Sequence, residues 1–182
     1  MEETRKEGIR EFLRVLIISL FIVLPVRWFI AQPFIVDGDS MEPNLQNGDY
    51  LIIDELSYRF HEPERGDIIV FRYPLNPKDH FIKRIIGLPG ETVRIEKSSI
   101  IIGKDKEGAR MVLHEAYIPE SFKTVPDMTV ILEDGEYFVL GDNRSRSSDS
   151  RTWGVLPRDN MTGRAWVRLW PIMHAGRVQI SE

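Results

Sequence analysis

The sequence predicts a mainly β protein, an antiparallel β-sheet domain carried behind one N-terminal transmembrane helix. Three observations predict this. Residues 15–26 read VLIISLFIVLPV without a charge. Five short runs after residue 48 are rich in β-branched or aromatic side chains and bounded by turn residues. No long helical period follows residue 32.

The N-terminal segment divides into a charged tail, 1–11, and an anchor, 12–31. With Phe12, Leu13 and Trp28-Phe29-Ile30, the apolar run approaches the roughly 20 residues that a membrane helix needs. Arg14 and Arg27 stand near its ends, where long side chains reach the headgroups. Pro25 falls in the last turn, and a membrane helix tolerates a kink there. A buried core helix would be amphipathic, whereas this run is apolar all round. A cleaved leader would need a small-x-small site after the run, and Ala31-Gln32-Pro33 does not supply one. A signal anchor fits best. Arg5, Lys6, Arg10 and Arg14 precede it, and no Lys or Arg occurs from 28 to 58. The positive-inside rule then places the N-terminus in the cytoplasm and residues 32–182 outside it.

The strands are expected at Tyr50-Leu51-Ile52-Ile53, Asp67-Ile68-Ile69-Val70-Phe71, Phe81-Ile82-Lys83-Arg84-Ile85-Ile86, Thr92-Val93-Arg94-Ile95 and Tyr137-Phe138-Val139-Leu140. Gly48-Asp49, Arg65-Gly66-Asp67, Pro89-Gly90 and Asp134-Gly135 punctuate them. A single core is expected. Residues 98–130 are weaker in pattern, with a charged, loop-like stretch at 103–110, and read as an inserted flap or small subdomain. The segment 165–171, AWVRLWP, alternates with tryptophans on one face, as a core strand or an interfacial surface would.

Bulk composition excludes several functions. At 182 residues the chain holds one domain and a small extra element. A net charge of −4 and a pI near 5.7 argue against a nucleic-acid partner. The absence of cysteine excludes a disulfide scaffold, a thiol nucleophile and thiolate metal sites. The four histidines are scattered, without a His-x-x-x-His pair, so neither metal nor cofactor is expected.

Three polar clusters stand out: Gly38-Asp39-Ser40-Met41-Glu42-Pro43, Lys83-Arg84 inside an apolar strand, and residues 141–151, GDNRSRSSDSR. Each alone has an ordinary explanation: a polar turn, the solvent side of a pleat, a solvated loop of local ion pairs. Strand alternation places Lys83 on one face with Phe81 and Ile85. That surrounding is desolvating and lowers a lysine pKa, unless the stem packs while the ammonium escapes to water. Spacing alone leaves both open.

Together the clusters are specific. Ser40-Met41-x-Pro43, Lys83-Arg84-x-Ile86-Gly87-Leu88-Pro89-Gly90-Glu91 and Gly141-Asp142-Asn143-Arg144-x-x-Ser147-x-Asp149-Ser150-Arg151-x-x-Gly154 follow one another behind the anchor. This order closely resembles bacterial type I signal peptidase (leader peptidase), in its compact Gram-positive-type form, over nearly the whole chain. The resemblance implies a serine endopeptidase with a Ser-Lys dyad, which removes signal peptides from secreted preproteins by cutting after small residues at −1 and −3. It implies Ser40 as nucleophile and Lys83 as general base, with Ser147 orienting the amine. Asp149 and Arg151, with Asp142 and Arg84, would hold the site through a charged network, Asp149 lying on Arg151 and away from Lys83. Phe34, Val36, Met41, Leu45, Phe81 and Ile82 would line the pockets for small side chains. A membrane-bound, monomeric enzyme working against lipid is expected. Two positions depart from the family pattern: Gly38 offers no hydroxyl to the oxyanion, and Asn44 stands where threonine is frequent.

Three other readings compete. Self-cleaving repressors share a Ser-Met turn and a downstream lysine, but not the anchor or the Asp-Ser-Arg motif. A Ser-His-Asp hydrolase would use His80, which sits on the opposite pleat face from Lys83. A membrane-anchored binding module would use the polar clusters structurally.

Overall fold

The computed structural model describes residues 2–29, 31–104 and 110–178. The side chains of residues 2–7, 22 and 24–31 fall outside the described set, and with them the far end of the expected anchor, including Pro25 and Arg27. Part of the expected charged loop, 105–109, is also outside it. The chain runs α1 (Glu2–Phe29), β1 (Ala31–Ile35), β2 (Tyr50–Asp54), β3 (Ile68–Tyr73), β4 (Asn76–Gly87), β5 (Glu91–Glu96), β6 (Ser99–Lys104), β7 (Arg110–Val112), β8 (Met128–Ile131), β9 (Glu136–Leu140), α2 (Ser150–Trp153), β10 (Leu156–Pro157), β11 (Met161–Trp170) and β12 (Gly176–Arg177).

Among the described residues every strand pairing is antiparallel. One sheet has the order β1-β2-β11-β3-β4-β9-β10, with β12 added to β11; a second has the order β7-β6-β5-β8. The expected 98–130 segment supplies β6, β7 and β8, while β5 comes from before it. A tight turn joins β4 to β5 at Pro89-Gly90, where the Glu91 N–H donates to the Leu88 carbonyl at 3.2 Å.

Instead of one core there are three apolar clusters, and the strand periodicity explains them. In β3, Ile68 and Val70 enter a cluster with Met41, Leu45, Leu51 and Ile53, while Ile69 and Phe71 enter another with Ile85 and Tyr137. In β9, Tyr137 and Val139 join that second cluster, and Phe138 and Leu140 join a third beneath the smaller sheet. A strand buried on both faces reads as a continuous apolar run, which is why β3 and β9 were conspicuous. Less conspicuous was β1, an edge strand containing Pro33, which only an edge tolerates. The β4 strand starts five residues before the expected Phe81, because its polar, exposed first half carries no apolar signal.

Every described side chain from Gly8 to Phe21 on α1 is exposed, Phe12 at 68% and Phe21 at 79%. Among the described residues no helix is long and apolar enough to cross a membrane. In β11, Trp166 and Trp170 are both exposed, so the alternation at 165–171 marks a surface on a central strand.

Candidate active site

Ser40 lies in the turn that leaves β1. The turn is pinned by its neighbours: Met41 is wholly buried, and its carbonyl accepts from the Leu45 N–H at 2.9 Å. With Met41 directed inward, Ser40 stays half-exposed at the surface of the turn. Its carbonyl accepts from the Asn143 N–H at 3.0 Å, which ties the turn to the 141–151 loop. Among the described residues, the Ser40 N–H is engaged by no carbonyl or side chain.

Lys83 reaches this turn from β4. Its Nζ lies 2.8 Å from Ser40 Oγ and donates to the Ile82 carbonyl at 2.8 Å. The residue is 4% exposed, and its amine stands 5.4 Å from the Phe81 ring centroid. Burial pushes the amine down from its usual value near 10.5 to about 8, against the opposing pull of Asp149 and Asp142. An amine and a hydroxyl at this distance can exchange a proton, and the lowered pKa makes the neutral amine accessible near neutral pH.

Both carboxylates are bound elsewhere. Asp149 accepts from Arg151 Nε and Nη2 at 2.8 Å each, and from the Gly141 N–H at 3.1 Å. Asp142 accepts from Arg84 Nε at 2.8 Å and Nη2 at 2.7 Å, a pair almost wholly out of water. No ion pair joins Lys83 to either among the described residues. Ser147 differs from its expected place: its Oγ is buried without a hydrogen-bond partner, so no bond to the Lys83 amine is formed here. It sits against Gly141, where an added Cβ would fall 2.2 Å from Ser147 Oγ and 2.5 Å from the Ser40 carbonyl oxygen.

A cavity of about 520 Å³ opens beside the pair. Phe34, Val36, Phe81 and Ile82 line it, with Ser40 and Lys83. Met41 and Leu45 do not; both are core residues beneath the turn, fixed there by the alternation that exposes Ser40. Sequence reading missed Leu51, Val70 and His80 in the lining. Pairing explains the first two, since Leu51 is opposite Phe34 and Val70 opposite Ile82. The His80 ring tilts against Phe34, with centroids 5.8 Å apart, and it makes no hydrogen bond to Ser40 among the described residues. Strands β1 and β4 thus face one another across the cavity although three strands separate them in the sheet, which must curl to bring them together. Also unanticipated is Asn44, whose Nδ2 donates to Asp142 at 2.8 Å and to the Tyr117 carbonyl at 2.9 Å. Its partner lies 73 residues away, beyond the reach of a local pattern.

Comparison with known proteins identifies the family. Residues 9–170 match the family model described as signal peptidase, peptidase S26. A probable signal peptidase I-2 of Synechocystis sp. is 40% identical over 171 residues, 90% of this chain and 74% of that one. A signal peptidase I of Aquifex aeolicus is 32% identical over 224 residues, covering 91% and 86%. A solved signal peptidase I from Enterococcus faecalis V583 is 33% identical, with a TM-score of 0.48 over 57% of this chain and 97% of that chain. The family match over residues 9–170 spans the turn, the lysine strand and the 141–151 loop alike, and on that extent the chain belongs to the signal peptidase family, peptidase S26.

Proposed function

We propose that the chain removes signal peptides from secreted preproteins by a Ser40–Lys83 mechanism through an acyl-enzyme. The observation that carries this reading is the 2.8 Å contact between Ser40 Oγ and a desolvated Lys83 amine. The neutral amine takes the Ser40 proton as Oγ attacks the scissile carbonyl carbon. The resulting oxyanion accepts from the Ser40 N–H, which no other group engages among the described residues. Collapse breaks the C–N bond, and the Lys83 ammonium protonates the departing amine. Water then gives a proton to Lys83 and attacks the ester, and the serine recovers its proton as the acid product leaves. In this reading Ser147 engages the amine once bound peptide draws it from the Ile82 carbonyl, since catalytic hydrogen bonds often tighten only with substrate. Asp149–Arg151 and Asp142–Arg84 hold the frame while sparing the lysine a direct counterion.

Substrate recognition follows from the strand edges. Among the described residues, pairing of β4 with β9 begins only at Arg84, so residues 78–83 have an open edge, and β1 pairs only with β2. An extended peptide can lie between them with alternate side chains directed into the cavity. The apolar walls of Phe34, Val36, Leu51, Val70, Phe81 and Ile82 suit small side chains at −1 and −3. The same reading takes residues 12–31 as a membrane anchor with the N-terminus in the cytoplasm and the β domain outside. Its support is a helix whose described apolar side chains are all exposed and therefore call for an apolar surrounding.

The test is cleavage of a preprotein in detergent by the wild type, Ser40→Ala and Lys83→Ala, with product masses locating the cut. Loss in both variants, with wild-type cutting after small-x-small, is the expected result. Cleavage that survives in Lys83→Ala but fails in His80→Ala would transfer the base role to His80.

A further inference from the structure

Between β7 and β8 the chain crosses to the larger sheet and lays three side chains on the loop that holds the site. Glu115 binds Arg144 Nη1 at 2.9 Å and also accepts from Nη2. Thr124 accepts from Arg144 Nη1 at 2.6 Å, and Arg144 Nε donates to the Gly141 carbonyl at 3.0 Å. Tyr117 donates its hydroxyl to Glu115 and places its ring 4.0 Å from the Arg84 guanidinium. Its carbonyl accepts from Asn44, whose same nitrogen donates to Asp142. Tyr117 therefore touches both residues that bind the Asp142 carboxylate among the described residues, namely Arg84 and Asn44. Arg84 is 1% exposed and Arg144 2%, so these contacts are made out of water, where cation–π and charge-assisted bonds are strongest.

We propose that Glu115–Tyr117–Thr124 is a clasp by which the smaller sheet fixes the active-site loop, and that Tyr117 is a positioning residue for the cleavage reaction. The proposal rests on the Ser40–Lys83 reading. Asp142 favours the charged form of Lys83, and Arg84 with Asn44 offsets that negative charge. A loosened Arg84 or a lost Asn44 leaves more of the Asp142 field on the amine. The other charged groups around Lys83 are Asp149 with its partner Arg151, and Asp37, Lys78, Asp79 and His80 on the shared cavity wall. Arg151 donates to the carbonyls of Val125 and Arg144 beside the clasp, but among the described residues none of these groups bonds to Tyr117 or Asn44, the residues varied below.

The experiment is the pH dependence of kcat, and separately of KM, for wild type, Tyr117→Leu, Tyr117→Phe and Asn44→Ala in detergent, with thermal unfolding alongside. Leucine fills the space without a π face; phenylalanine keeps the face. The acid limb of Tyr117→Leu and of Asn44→Ala is expected to move up by about one pH unit, with kcat at pH 7 about tenfold lower and restored above pH 10. Tyr117→Phe is expected to keep the wild-type limb. Asn44→Ala removes the bonds to Asp142 and to the Tyr117 carbonyl but keeps the Tyr117 ring on Arg84 and its bond to Glu115, and it gives the answer alone should Tyr117→Leu not fold. An unmoved limb in the folded variants overturns the clasp, as does a loss of kcat that high pH does not restore. A wild type with no acid limb overturns the Lys83 base itself, a different failure.

Discussion

Lys83 is held where its chemistry is useful and its burial is costly. The folded amine releases its proton near pH 8, the unfolded one near 10.5. Between those values the unfolded chain binds more protons, so stability rises with pH across the window. Below pH 8 the folded protein carries the full cost, about 3 kcal/mol at roughly 1.4 kcal/mol per pH unit. Lys83→Met is therefore expected to abolish cleavage yet unfold at a higher temperature than wild type at pH 7. Its advantage, about 1–3 kcal/mol, should shrink as pH rises from 8 to 10.5. Thermal unfolding of both proteins over that range checks it, and a less stable variant at pH 7 would mean that the amine is not desolvated. Ser147 gives a second case. Its buried hydroxyl has no partner, so Ser147→Ala removes an unsatisfied group and should leave stability unchanged or raise it by about 1 kcal/mol. If the hydroxyl engages the amine during reaction, kcat falls while KM holds; steady-state kinetics beside a melting curve separate the two effects.

At the scale of elements, two glycines at the ends of neighbouring strands distinguish folding from function. Gly87 ends β4 against the smaller sheet, where an added Cβ would meet Val93 at 2.4 Å, Leu132 at 2.7 Å and Phe138 at 3.1 Å. Gly87→Ala is expected to overpack that cluster and cost about 1–3 kcal/mol, with kcat of the folded fraction near wild type. At Gly141, just after β9, the same methyl would push on Ser147 and the Ser40 carbonyl. Gly141→Ala should displace the Ser40 turn and, on the Ser40–Lys83 reading, lower kcat about 100-fold or more with a smaller loss of stability. Urea unfolding and kcat measured on one preparation of each variant decide the assignment. The two sites also show what was legible beforehand. Apolar runs announced β2, β3, β5 and β9, because strands buried on one or both faces write their burial into the sequence. The polar first half of β4, the proline-bearing β1 and the exposed β7 write nothing of the kind. The family resemblance, not any local pattern, brought Ser40 together with Lys83 and Asp149 together with Arg151. No spacing could place Asn44 or Tyr117 against Asp142 and Arg84, because those contacts depend on how two sheets meet. Met41 and Leu45 lie in the core and not on the cavity wall for a related reason. A turn that exposes its serine must anchor the adjacent side chains, and theirs went into the core.

For the whole molecule, the open question is how the β domain meets its substrate. Ile35, Tyr50 and Trp170 stand opposite one another at the same level of β1, β2 and β11, each more than 40% exposed. Ile172 at 73% and Met173 at 94% exposure continue this surface beyond β11. Soluble domains seldom leave so many large apolar side chains together in water, and an aromatic border beside aliphatic tips suits a lipid interface. Strand β1 belongs to this surface and follows α1 directly, so an anchored α1 and a lipid-facing patch would constrain the domain at two points. That constraint restricts enzyme and membrane-held preprotein to one layer and raises their effective concentration. Replacing Ile172 and Met173 with aspartate removes two apolar tips and adds two charges, neither touching the cavity. The doubly substituted enzyme in lipid vesicles is expected to cleave a bilayer-embedded preprotein about tenfold more slowly, equivalent to about 1.4 kcal/mol of lost surface binding. Its rate on a short peptide in detergent should match wild type, because the site and its pKa are unchanged. Equal slowing on both substrates would place the defect in the active site, and no slowing on either would assign the exposed surface to something other than lipid.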